Sequence, residues 1–92
     1  MRENEYEAQL RRSGIEDVSI GEMEPNCARP EHAHPYDVEA MVLSGEITLT
    51  CAGERRTYRP GDTFSMAAGL PHAETVGAEG VRYLAGRRHH RQ

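Results

Sequence analysis

Residues 32–45 read HAHPYDVEAMVLSG and carry the strongest indication of the fold. It opens on a His-x-His pair and continues from Val38 into alternating apolar residues, a pattern that is typical of a strand. Residues i and i+2 of a strand point to the same face, about 6.5–7 Å apart. The imidazoles of His32 and His34 can therefore converge on one ion.

A second stretch, residues 61–72, reads GDTFSMAAGLPH and ends on a third histidine. His72 follows a turn rich in Gly and Pro and begins another predicted strand. Two histidines from one strand and a third from a neighbouring strand make a facial set of metal ligands that leaves other positions open. Surface strands also collect histidines by chance, but metal ligation is the commonest use of clustered neutral histidines. We therefore expect His32, His34 and His72 to be metal ligands.

The remaining sequence predicts an all-β domain behind one short helix. Residues 2–13 have helical spacing of apolar residues, and beyond Gly14 the apolar period changes to two. Nine Gly and five Pro punctuate short runs, which indicates a β-sandwich or barrel over residues 16–86. A chain of 92 residues leaves room for one domain only, and residues 87–92 are expected to form a polar, frayed tail.

Within the barrel region, glycines are expected to divide the chain into short strands joined by tight turns. Ser44 and Gly45 mark one such turn, and residues 77–80 mark another. The predicted strands next to these turns cover residues 38–43, 46–51, 72–76 and 81–86.

With both histidine motifs in place, the sequence resembles the cupin superfamily over about residues 20–86. The pieces VLSGEITL (residues 42–49) and YRPGDTF (residues 58–64) stand where cupins carry their turn glycines. The resemblance implies a jelly-roll β-barrel with a divalent metal ion inside. It implies no particular reaction, because cupins include dioxygenases, isomerases, decarboxylases, storage proteins and sensor domains.

The resemblance also implies a carboxylate ligand, for which two acids compete. Counted forward from His34, Glu39 has the spacing that the cupin motif allows for its glutamate. Counted back from Gly45, that position falls on the residue before Glu39. Strand alternation then turns Glu39 outward unless a bulge near Pro35 restores it. Glu74 lies two residues beyond the third histidine and should share its face. Either acid, or neither, completes the site.

Charge and composition limit which binding partners and which cellular compartment are expected. Eleven basic residues against fifteen acidic ones give a net charge of −4, which argues against nucleic acid as a partner. No apolar run is long enough to span a membrane. Two Cys are too few for a disulfide scaffold, so a reducing cytoplasm is expected. Edge strands need covering, so we expect a homodimer.

The site predicts a small-molecule ligand or substrate held at a divalent ion, which would be Fe, Mn, Ni, Co or Zn. Whether the protein is an enzyme stays open at this point. The alternatives are a non-catalytic barrel that binds or senses a small ligand, and a degenerate cupin that has lost its metal.

Overall fold

The structure is a computed structural model, and it describes residues 1–90. It contains one helix at the N-terminus followed by six antiparallel strands, as the sequence predicted for an all-β fold. These elements are α1 (Glu3–Arg12), β1 (Asp17–Met23), β2 (Ala28–His32), β3 (Tyr36–Cys51), β4 (Glu54–Tyr58), β5 (Thr63–Met66) and β6 (His72–His89).

Two long strands, β3 and β6, run side by side and form the middle of both layers of the sandwich. The first half of β3 pairs with the second half of β6, and β5 and β1 flank this pair. The second half of β3 pairs with the first half of β6, and β4 and β2 flank it. Each layer therefore has four strands, and the bent central pair joins the layers into a jelly roll.

The two predicted turns are bends inside continuous strands, so the division into shorter strands was wrong there. The pairing of β3 with β6 shifts register on both sides of Gly45, which is the signature of bulges. Gly45 has φ +73°, and a Cβ placed on it would overlap the carbonyl oxygen of Gly80. The bends thus meet backbone to backbone. A glycine bend and a glycine turn use the same residues, which is why the sequence pattern does not separate them.

Alternation along the strands sends one row of side chains into the space between the layers. Val38, Ala40 and Val42 in the first half of β3 belong to this buried row, in line with the alternating apolar pattern of the sequence. Side chains from every strand except β2 complete this interior cluster: Met23, Ile47, Leu49, Phe64, Met66, Val76, Val81 and Ala85, with Tyr58 packed against it.

Helix α1 packs on the outside of the layer that contains β1. Tyr6 and Leu10 form its buried stripe and meet Met41 and Leu84 from the outer faces of β3 and β6. Gly86 lies under this contact, where a Cβ would stand 2.9 Å from Ile15 and 3.1 Å from Leu10. The helix therefore covers the sheet without entering the barrel. It is too short to span a membrane.

The predicted frayed tail is also wrong for residues 87–89, because β6 continues through His89. Arg87 pairs with Asp17 in the ladder between β6 and β1, and the Arg88 guanidinium donates to the Ser13 carbonyl at 2.9 Å. The polar sequence hid this continuation, since one face of the strand end is solvated. Residues 91–92 lie outside the described part of the chain.

Candidate metal centre

The three predicted histidines come together at one end of the space between the layers. His32 ends β2 and stands opposite His72, the first residue of β6. The turn before β6 is bound to the loop that carries His34, since the Gly69 amide donates to the His34 carbonyl at 2.8 Å. One ligand nitrogen from each ring lies within 4.8 Å of the other two.

Local hydrogen bonds set the tautomers of two of these rings. The Nδ1 of His32 lies 2.8 Å from the Pro30 carbonyl oxygen, and the Nδ1 of His72 lies 2.9 Å from that of Leu70. A carbonyl only accepts, so each Nδ1 donates a proton, and in the neutral ring Nε2 keeps its lone pair. Both Nε2 atoms are buried and have no hydrogen-bond partner. Histidine ligands of metals in proteins are oriented by the same kind of second hydrogen bond.

His34 is the third member and stacks on an aromatic ring. Its ring lies 5.0 Å from that of Tyr36 at an interplanar angle of 11°. Burial lowers the pKa of His34, and the neighbouring His72 and His32 lower it further. A neutral imidazole is the form that ligates a cation, so this environment favours the ligand form.

Glu74 lies beside the histidines on the inner face of β6, as its spacing from His72 predicted. Its side chain is buried, with the residue 7% exposed, and Oε1 stands 3.3 Å from the Nε2 of His32. The contact lacks hydrogen-bond geometry, and both atoms are without a partner. Two buried acceptors this close repel each other unless a cation or a proton lies between them. The residues present therefore fit a bound cation.

Glu39 does not join the cluster, which corrects its candidacy as a ligand. It pairs with Ser65 and Gly86 in an unshifted part of the ladder, so no bulge turns it inward. It shares the outer face of β3 with Met41, next to α1. There its charge, after burial, helps to raise the pKa of Tyr6 to about 12. Strand alternation decides this outcome.

A cavity of about 70 Å³ inside the barrel adjoins the cluster. Aromatic side chains and Glu74 line it together with two arginines, Arg29 and Arg87. The sequence analysis missed these arginines, since Arg29 lies outside both histidine motifs and Arg87 lies in the presumed tail. The signal that could have found Arg87 is its even spacing from Tyr83 and Ala85, which share its face.

A second opening, of about 290 Å³, reaches His72 from the side of β4 and β5. Tyr58, Met66 and Leu70 contribute to its wall. Two openings therefore border the histidine cluster, the cavity between the layers at His34 and the lateral opening at His72.

The fold and the histidine cluster agree with the comparison to known families. The family described as Cupin domain matches residues 19–85. The chain belongs to the cupin family. This match covers nearly the same residues as the resemblance seen in the sequence, and it includes all three clustered histidines and Glu74. No curated protein matches the sequence.

Solved structures similar to this cupin support the fold. A protein of unknown function from Rhizobium leguminosarum bv. viciae 3841 is 22% identical with a TM-score of 0.74, over 79% of this chain and 69% of that one. KdgF from Halomonas sp. is 18% identical with a TM-score of 0.70, over 82% and 69%. The DMSP lyase DddQ from Ruegeria pomeroyi DSS-3 is 26% identical with a TM-score of 0.69, over 77% of this chain but 36% of the lyase.

Proposed function

We propose that this cupin holds one divalent first-row transition ion on His32, His34 and His72 and there binds or transforms a small polar molecule. One observation carries the proposal: the buried Nε2 atoms of His32 and His72 face the cluster with their lone pairs, while each Nδ1 is tied to a carbonyl. Buried acceptors without donors are costly, and a cation satisfies them together.

The donor set narrows the ion to a class. Three imidazoles suit Fe, Mn, Ni, Co and Zn, and the order of affinity within this group does not reveal which one is present in the cell. When bound, the ion would supply a Lewis acid for an oxygen of the ligand.

The protein's own groups provide the rest of the site. His34 and Tyr36 stack and form one wall, which orients a ligand that enters from the cavity. Glu74 offers a buried carboxylate beside His32, where it can accept a hydrogen bond or a proton from a ligand hydroxyl. Apolar side chains, among them Val38, Phe64 and Met66, line the rest of the cavity.

Metal analysis tests the proposal directly. Tag-free protein should contain about one transition ion per chain by elemental analysis, and the double variant His32→Ala/His72→Ala should contain none. His90→Ala is the matched control, because His90 lies just beyond the end of β6, where its Nε2 is 3.2 Å from Oδ2 of Asp37, and it is not one of the clustered histidines. Circular dichroism should show the same β content in all three proteins. Metal retained by the double variant, or absent from wild-type protein after incubation with each ion, would refute the proposal.

The choice between catalysis and simple binding depends on turnover. Two of the structures similar to this cupin are described as DMSP lyases, which favours testing DMSP lyase activity first. This chain spans 36–37% of those lyases, so their activity is a starting point for assays only. An enzyme loses turnover when the metal is removed and regains it on reloading, whereas a binding barrel returns the ligand unchanged.

A further inference from the structure

Two arginines face the cavity next to the histidine cluster. Arg29 on β2 stands opposite Glu74 on β6, and Arg87 follows the buried Ala85 by two residues, so both lie on inner faces. Both side chains line the same cavity of about 70 Å³. They approach it from different strands.

Neither of these two arginines has an anionic partner among the described residues, and unlike the other unpaired arginines both line this cavity. Among residues 1–90, arginine ion pairs form at Arg11, Arg59 and Arg82, and Arg88 donates to a backbone carbonyl. Neither Arg29 nor Arg87 makes an ion pair or a side-chain hydrogen bond within that part of the chain. A guanidinium carries five N–H donors, so both residues retain unused hydrogen-bonding capacity at the cavity.

A stack of side chains connects Arg87 to the metal centre. The central carbon of its guanidinium lies 5.2 Å from the centroid of the Tyr36 ring, and Tyr36 stacks in turn on His34. A cation over an aromatic face is held in position while its N–H groups stay available at the edge. Arg87 is therefore oriented toward the cavity next to a ligand of the proposed ion.

Charge sets the chemistry of the molecule that fits. The protein has a net charge of −4, yet this cavity combines two arginines with the proposed divalent ion against one acid, Glu74. The local charge is thus opposite to that of the whole protein. Guanidinium groups match the two oxygens of a carboxylate with paired hydrogen bonds.

We infer that the ligand of this cupin is a small carboxylic acid whose carboxylate binds Arg29 and Arg87 while another oxygen faces the histidine cluster. This inference rests on the proposed metal site. The cavity volume limits the ligand to a few heavy atoms.

Calorimetry with matched acids and amides tests the inference. The probes are acetate and acetamide, lactate and lactamide, malonate and malonamide, and inorganic phosphate, each titrated into metal-loaded and metal-free protein. At least one carboxylate should bind about tenfold more tightly than its amide, because a charged hydrogen bond is replaced by a neutral one. Arg29→Gln and Arg87→Gln should each weaken the binding of that carboxylate by about tenfold and leave the metal content unchanged. Arg82→Gln, on the outer face of the same strand, should change neither.

Three results would overturn the carboxylate inference and leave the metal site standing. They are equal binding of every acid and its amide, tighter binding of phosphate than of any carboxylate, and unchanged carboxylate binding in Arg87→Gln, each in protein that carries its ion. Dissociation constants above about 10 mM for all three carboxylates would also overturn the inference. If wild-type protein holds no metal, the metal-free titrations decide: an acid preference lost in Arg87→Gln supports the arginine subsite by itself, and no preference refutes it.

Discussion

Single side chains at the centre are set by their nearest backbone. His32 and His72 each donate Nδ1–H to the carbonyl two residues earlier in the chain, so the short segments Pro30–His32 and Leu70–His72 orient their own ring. A proline lies within each segment, and its fixed φ restricts the loop that presents the imidazole. The Nε2 atoms of both rings are therefore oriented by the protein itself.

The contribution of Glu74 can be measured at this scale. Glu74→Gln should lower the affinity for the metal ion by about 10- to 100-fold, because the carboxylate that neutralises the cation beside His32 becomes an uncharged amide. Competition with a chelator of known affinity measures the change.

Glu39→Gln is the matched control, since this acid lies on the outer face of β3 next to α1. Its affinity for metal should equal that of wild type. A loss of affinity in Glu39→Gln, with none in Glu74→Gln, would reverse our assignment of the acid.

At the scale of the elements, the bends of β3 and β6 carry the architecture. Each strand belongs to both layers, and it changes layer at the bend near Gly45 or Gly80. The first half of β6 carries His72 and Glu74, and the second half carries Tyr83 and Arg87. The bend is therefore what places the histidine cluster and the arginines around one cavity.

Gly45→Ala should destabilise the protein by more than about 2 kcal/mol, since it adds steric overlap to an unfavourable positive φ. Gly53→Ala is the control, because Gly53 also has positive φ (+81°) but nothing lies within 4 Å of the added Cβ. Gly53→Ala should lower the free energy of unfolding by only about 1 kcal/mol, which is the cost of a positive φ for a residue with a Cβ. Urea denaturation measures both, and equal losses would contradict the close contact between the bends.

At the scale of the whole molecule, the free edge of β1 and the outer surface around Ile20 remain uncovered. β1 pairs with β6 only, so its other edge is free of strand partners among the described residues. Ile20 on this strand is 39% exposed, beyond the part of the layer that α1 covers. The sequence-based expectation of a homodimer is therefore best placed here, and it stays a prediction.

Light scattering coupled to size exclusion should give twice the chain mass for wild type. Ile20→Glu should shift the protein toward the monomer, because a charge on an apolar contact opposes its burial. Thr63→Glu on β5, at the other edge of the same layer, should remain dimeric. A monomeric wild type, or a dimer unaffected by Ile20→Glu, would contradict the prediction.

The sequence alone determined the fold class, the short helix and the three histidines, because these depend on local signals: apolar period, glycine and proline placement, and motif spacing. Strand alternation also favoured Glu74 over Glu39, and the structure places only Glu74 beside the cluster. These are properties of neighbouring residues along the chain.

The folded structure was needed to show that two apparent turns are bends, that β6 extends to His89, and that Arg29 and Arg87 share a cavity. Each of these depends on which strands lie side by side across a long sequence separation. A glycine pattern is the same in a turn and in a bulge, and a polar strand end looks like a tail until its partner strand is known. Local sequence patterns do not show which distant strands pair with each other. The packing of the two layers determines that pairing.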